Sequence, residues 1–232
     1  MKPIIRWTIG PVSEDGFKCL NFSVFQFRKL YKDYFRYVIC HNGLSDEQKK
    51  LLPDVELVDQ SMFISSLPVF PCGPAWKLYP PRLSIESHEI IIDNDVVIYK
   101  KPEAIAEFLK EKDMFVVTES FKRSYSGIYQ KDIPENFNIN SGLVCLPPNF
   151  DYRKELLKNE FKKWENHFDE QTLVAKVLSV QKKIKIITLS EIYVCFDQYK
   201  QGSCGVHLVG LNNKNKSSYL KTLQLSVGLK YL

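Results

Sequence analysis

Ile90, Ile91 and Ile92 run without a polar break into Asp93-Asn94-Asp95. A strand with one wet face alternates apolar and polar residues, so an unbroken apolar run marks a strand covered on both sides. The chain must therefore supply packing layers for two faces of a sheet. Its first sixty residues have the pattern to do so. Residues 4–9 read as a strand stopped by Gly10-Pro11, and Phe17, Leu20, Val24, Phe27 and Tyr31 follow at helical spacing. Residues 35–40 give a second strand. Ser45 and Gln48 form a capping box for a short helix reaching Leu52, and residues 55–58 give a third strand. Strand–helix–strand–helix–strand predicts an α/β fold with a mostly parallel central sheet and helices on both faces.

Further along, residues 60–81 are irregular, with one helical turn near 75–79. Helices are expected at 102–109, 152–164 and 170–180, and strands at 114–118, 143–146, 184–189 and 192–196. The polar stretch 120–138, with Gly127 and Pro134, reads as a mobile loop. No repeat or linker interrupts the 232 residues, which argues for a single domain over 1–232. A content of 44% apolar and 25% charged residues excludes disordered, collagen-like and coiled-coil chains. The six cysteines form no C-x-x-C pair and several sit in apolar runs, as buried thiols do. A formal charge of +5 is too mild to imply nucleic acid as a partner. The N-terminus is too short and polar for a signal segment, and no apolar run reaches the roughly 18 residues of a membrane span. The expectation is a soluble, cytoplasmic chain in a reducing setting.

Two carboxylates one residue apart at the end of a buried strand suit a hard cation, because ligands of open parallel sheets gather beyond the strands' carboxyl ends. Asp93 and Asp95 are thus candidate metal ligands. The competing reading is an Asx-type turn that merely closes the strand.

With these pieces in order, the sequence resembles the GT-A nucleotide-sugar glycosyltransferases, and within them the glycogenin- and galactosyltransferase-like retaining group. Lys77-Leu78 stands sixteen residues ahead of Asp93, Asn140-Ser141-Gly142 precedes the strand at 143–146, and His207-Leu208-Val209-Gly210 is followed by Lys214 and Lys216. The family's Asp-Gln pair corresponds to Asp169-Glu170-Gln171, a run of three that leaves open which residue faces the sugar. The family's Pro-Trp after its final lysine is missing here, and the spacing from Gly210 leaves Lys214 and Lys216 both open as diphosphate ligands.

The resemblance implies a GT-A (Rossmann-like) domain with a nucleotide-binding half over 1–100 that ends in the D-x-D, and an acceptor and sugar half over 101–232. It implies transfer of a sugar from a nucleotide diphosphate sugar, a UDP-sugar by family habit, to a hydroxyl of a glycan or other acceptor, with retention. Asp93, Asp95 and His207 would hold Mn²⁺, with Mg²⁺ as the alternative; an imidazole beside two carboxylates favours the former. Ile9, Gly10, Lys77, Asp93, Asn94, Asn140, Ser141, Gly142, Gly210, Lys214 and Lys216 would bind the donor. Asp169, Glu170 and Gln171 would serve catalysis, and an inverting enzyme would need Asp169 or Glu170 as base. The loop at 121–129, with Lys122, Arg123, Tyr125 and Tyr129, would close over the donor or meet the acceptor. The short chain resembles viral or bacterial single-domain members, which in the viral case act in the host cytoplasm. Two rival functions share the motif: a haloacid-dehalogenase-type phosphatase with Asp93 as nucleophile, and a nucleotide-sugar-binding module without catalysis.

Overall fold

Chain order and strand order part company at the fourth strand, and that departure makes the crevice in which the site lies. The computed structural model describes residues 1–66, 73–78, 82–120, 127–158, 168–195 and 202–209. Strand β1 (Ile4–Ile9), helix α1 (Glu14–Tyr31), strand β2 (Arg36–His41), helix α2 (Asp46–Leu51) and strand β3 (Glu56–Asp59) follow the expected alternation. Two 3-10 turns, Gln60–Ser66 and Gly73–Leu78, lead towards β4 (Glu89–Ile92) and β5 (Val96–Ile98). Then come α3 (Glu103–Phe108), β6 (Phe115–Glu119), β7 (Ile139–Leu146), α4 (Tyr152–Lys158), α5 (Asp169–Ser179), β8 (Ile184–Ile187), β9 (Ile192–Cys195) and β10 (Gly205–Leu208). The larger sheet has seven strands in the order β3-β2-β1-β4-β7-β6-β8. Strands β1 and β4 are parallel neighbours, with Ile4 opposite Glu89 and Trp7 opposite Ile92. The chain thus builds outward through β2 and β3, then returns to the other side of β1, which opens a crevice at the carboxyl ends of β1 and β4.

Local chemistry sets the helices. Ser13 accepts from Gly16 N at 3.2 Å to cap α1, with Glu14 and Asp15 in the favoured acidic first turn. The box at α2 is made in both directions: Gln48 N donates to Ser45 Oγ (3.2 Å) and Ser45 N to Gln48 Oε1 (3.0 Å). One face of the sheet (Ile5, Trp7, Ile9, Ile90, Ile92, Leu143, Cys145) packs with the buried sides of α1 and α3. On the other face Ile91, Val144, Leu146 and Val117 pack with Leu173, Val174 and Val177 of α5. The isoleucine triplet is buried throughout, as its pattern requires.

Three expectations need correction. Strand β7 begins at Ile139, so Asn140-Ser141-Gly142 lies inside a buried strand and not ahead of one. It is also antiparallel to both its neighbours, the one reversed strand of the seven. The stretch 120–138 is not a loose loop over the part that is described. Tyr129 and Ile133 are buried with Ile139 and Leu173, a 3-10 turn spans Gln130–Asp132, and Ser120 and Asn138 close its ends, Asn138 Nδ2 donating to Ser120 O at 2.9 Å. The third concerns a small second sheet, β5-β10-β9: the strand expected at 192–196 is its β9, but β5 and β10, of three and four residues, are too short for periodicity to register. The expected helix over 152–164 is described as far as Lys158, and the rest lies outside the described residues.

The second face also holds buried charge. Glu89 and Arg6 are almost wholly inaccessible; Glu89 Oε1 forms an ion pair with Arg6 Nη1 (3.1 Å), and Glu89 Oε2 accepts from Arg82 Nε (2.9 Å). Arg82 further donates to the carbonyls of Pro147 (3.1 Å) and Phe150 (2.7 Å), and Arg6 to Lys77 O (3.3 Å). Breaking such a group strands a charge in a medium that cannot solvate it. Glu89→Gln is expected to destabilise the protein by about 3–5 kcal/mol, read from the urea midpoint at constant m-value. A loss below about 1 kcal/mol would mean the guanidinium groups reach water in the folded state.

Candidate active site

The D-x-D turn joins the two sheets. Asp93 N donates to Gly142 O (2.8 Å), tying the turn to β7, and Leu208 N donates to Asp95 O (3.0 Å), tying it to β10. In the small sheet β10 lies antiparallel to β5, with His207 opposite Val96. That register lays the imidazole beside both carboxylates: His207 Nε2 is 3.2 Å from Asp95 Oδ1 and 3.8 Å from Asp93 Oδ2. Asp93, Asp95 and His207 each offer a ligating atom, all within 4.8 Å of one another. Two hard oxygens and a borderline nitrogen in this space could hold a divalent cation. The His207 ring packs on Gly142, where a Cβ would collide with it. The bare backbone at Gly142 thus makes room for the imidazole.

Lys77, buried in the 3-10 turn Gly73–Leu78, aims its ammonium into the same space. It donates to Asp93 Oδ1 (2.9 Å) and Oδ2 (3.1 Å), to Ser141 O (3.1 Å) and Ser141 Oγ (3.3 Å), and it pairs with Glu170 Oε1 at 3.1 Å. Burial alone would lower its pKa, but the charges of Asp93 and Glu170 outweigh that and hold it above the ordinary lysine range. Glu170 moves the other way from a typical salt-bridged acid. Burial and the charge of Asp93 raise its carboxyl although Lys77 opposes them. Ser141 Oγ donates to Glu170 Oε2 (3.1 Å), so both Glu170 oxygens are engaged.

The run Asp169-Glu170-Gln171 sends its side chains to different places. Glu170 meets Lys77 and Ser141, and Gln171 Oε1 accepts from Asn140 Nδ2 at 3.4 Å. Asp169 is fully buried and accepts from Ile128 N at 2.9 Å, so it holds the chain at 127–128 against α5. Nor does it cap that helix: it is the first helical residue, and the N-cap is Phe168, with no side-chain cap bond. Asn94, the middle residue of the D-x-D, donates to Gly16 O (3.0 Å) and fastens the turn to α1. Asn140 uses its own Oδ1 to accept from Gly142 N (2.8 Å), which fixes the strand beside the imidazole.

Ile9 and Gly10 stand at the carboxyl end of β1, across the crevice from Asp93. Sequence reading passed over the bracket behind them. The Asn42 amide donates to Ile9 O (3.1 Å) and accepts from Trp76 Nε1 (3.0 Å), which sets the turn bearing Lys77 against β1. Gly210, Lys214 and Lys216, and Lys122, Arg123 and Tyr125 of the 121–129 loop, lie outside the described residues. Tyr129 is described. It is buried, with Lys176 Nζ 5.0 Å from its ring centre.

Gly142→Ala must displace the imidazole. Mn²⁺ affinity measured by calorimetry is expected to fall about 10–100-fold with the ligand residues intact. Unchanged affinity would show that His207 is not a ligand. Lys77→Met should cost about 3–5 kcal/mol in urea unfolding, since it leaves Glu170 and Asp93 facing each other without a counter-ion.

No protein-family model matches the sequence, and no curated protein matches it. Solved structures do match by fold. A galactosyltransferase, LgtC, in complex with donor and acceptor sugar analogues superposes with a TM-score of 0.61 at 9% identity, over 97% of this chain and 95% of that one. Mouse xyloside xylosyltransferase 1 gives 0.57 at 9% identity, over 89% and 97%. A glycosyltransferase involved in glycosylation of the major capsid of PBCV-1 gives 0.50 at 9% identity, over 95% and 100%. At such identities the likeness concerns the fold, which is the GT-A fold.

Proposed function

We propose that the protein is a metal-dependent glycosyltransferase that moves a sugar from a nucleotide diphosphate sugar, of the UDP class, to a hydroxyl of a glycan or similar acceptor with retention. The observation that carries the reading is the convergence of Asp93, Asp95 and His207, from positions more than a hundred residues apart, at the crevice where strand order reverses. A cation at the carboxyl ends of the strands, beside the polar side chains of Ser141, Glu170 and Gln171, suits diphosphate departure from a sugar. The three ligands suit Mn²⁺, with Mg²⁺ second. Bound there, the cation would offset charge that develops on a departing diphosphate. Lys214 and Lys216 are assigned the diphosphate itself, by resemblance, and Ile9 and Gly10 the nucleoside.

Lys77 acts on the donor through Asp93 and Glu170, whose orientations it fixes. Asn140 and Gln171 present an amide pair to sugar hydroxyls. Retention is favoured by the state of the two acids that could serve an inverting enzyme as base. Both oxygens of Glu170 are taken by Lys77 and Ser141, and Asp169 is turned to the Ile128 N–H. The division of labour follows the two halves, with 1–100 supplying the D-x-D and 101–232 supplying Ser141, Glu170 and His207.

Incubation with a panel of nucleotide sugars and Mn²⁺ is expected to release nucleoside diphosphate, faster when a sugar acceptor is present. Asp95→Ala and His207→Ala should each slow release by about a hundredfold or more, and a chelator should stop it. Release that survives Asp95→Ala would overturn the metal assignment. Rapid turnover of an aryl phosphate would overturn the transferase in favour of a phosphatase.

A further inference from the structure

The end of the large sheet opposite the D-x-D has an unusual surface. Because six of its seven strands are parallel, the segments that enter β1, β2, β3, β4, β6 and β8 all lie at that end. Nine large apolar side chains are exposed among the described residues, and five of them stand in these segments: Met1, Tyr34, Leu51, Ile85 and Val180, between 40% and 82% accessible. Lone exposed apolar residues are ordinary, but their gathering on the entry segments of one end is not.

Cations are interleaved with them. Lys2, Lys32, Lys50, Lys110, Lys112 and Lys182 are exposed in the same segments, and none makes an ion pair among the described residues. Lys183 at this end does pair, with Glu111 (2.6 Å) and Asp113 (3.2 Å), as Lys18, Lys49, Lys158 and Lys185 pair with carboxylates elsewhere on the surface. The acids of this end that carry no ion pair are Asp33, Asp54 and Glu86, so positive charge is in excess. Between the entries to β1, β2 and β4 lies an open cavity of about 290 Å³, lined in part by Lys2, Ile4, Phe35 and Ser87. Ser87 Oγ there is buried without a hydrogen-bond partner.

We propose that this end docks on an anionic membrane leaflet. The occupant follows from the chemistry: unpaired lysines attract acidic headgroups, while methionine, tyrosine and branched side chains between them enter the headgroup boundary. A nucleic acid would use the lysines but leave Met1, Leu51 and Val180 in water. The strands are about 20 Å long, so a chain seated on lipid this way holds its D-x-D end away from the bilayer. The acceptor hydroxyl is then reached in solution or on a glycan that stands off the surface.

The test is flotation of the full chain with vesicles of phosphatidylcholine alone and of phosphatidylcholine with about a third phosphatidylglycerol. Binding is expected only to the anionic vesicles, weakening as salt rises from about 0.05 to 0.5 M. The triple variant Lys2→Glu, Lys112→Glu, Lys182→Glu should bind them about a hundredfold less tightly. Its urea midpoint and Mn²⁺ affinity should stay unchanged, because these lysines pair with nothing in the described fold. Tyr34→Ser with Val180→Ser should weaken binding without changing the charge. Equal binding to both vesicle types, or full binding by the triple variant, overturns the proposal. So does RNA binding without vesicle binding. Self-association that Val180→Asp abolishes, with no vesicle binding, overturns it in favour of a second copy of the chain as occupant.

Discussion

One buried ammonium, that of Lys77, holds together segments that the sequence keeps far apart. It ties the end of β4 to the middle of β7 and the first turn of α5, through Asp93, Ser141 and Glu170. Two carboxylates share this one cation, Glu170 buried beside it and Asp93 partly open to solvent. The remaining architecture serves to keep that arrangement in place. Asn42 and Trp76 fix the turn that carries Lys77, and Arg6 holds its carbonyl from below.

Much of the frame was legible because it rests on local rules. The capping box at Ser45 and Gln48, the helical stripe from Phe17 to Tyr31 and the isoleucine triplet each fix an element from a few adjacent residues. The cluster of Asp93, Asp95 and His207 was legible only through the order of motifs, since His207 lies on a four-residue strand too short for periodicity to register. What stayed hidden depends on pairing between distant segments. The reversal of β7, the parting of Asp169 from Glu170 and Gln171, and the Arg6–Glu89–Arg82 cluster have no local signature. Asn94 and Gly142, expected at the donor, also carry a structural duty that has no local signature: Asn94 fastens the turn to Gly16, and Gly142 makes room for the His207 ring.

The molecule is polarised along its strands. At the carboxyl ends lie Asp93, Asp95 and Glu170 with their enclosed lysine; at the other end lie unpaired lysines among exposed apolar groups. Parallel strands produce such polarity with little effort, because every crossover returns the chain to the same side before the next strand begins. Chemistry and attachment can then change independently, each written in its own set of loops.

The junction of the two sheets at the D-x-D turn bears on how the chain folds. Asp93 and Asp95 leave the large sheet and at once start β5, yet β5 gains its antiparallel partner only when β10 arrives, more than a hundred residues later. Contact order predicts that so long a loop closes after shorter-range pairings such as β1 with β2. The juxtaposition of Asp95 and His207 is then expected among the later pairings, and as an early one for local unfolding to release. A cation held between Asp95 and His207 would clasp that seam, so its binding would also decide how long the small sheet stays closed.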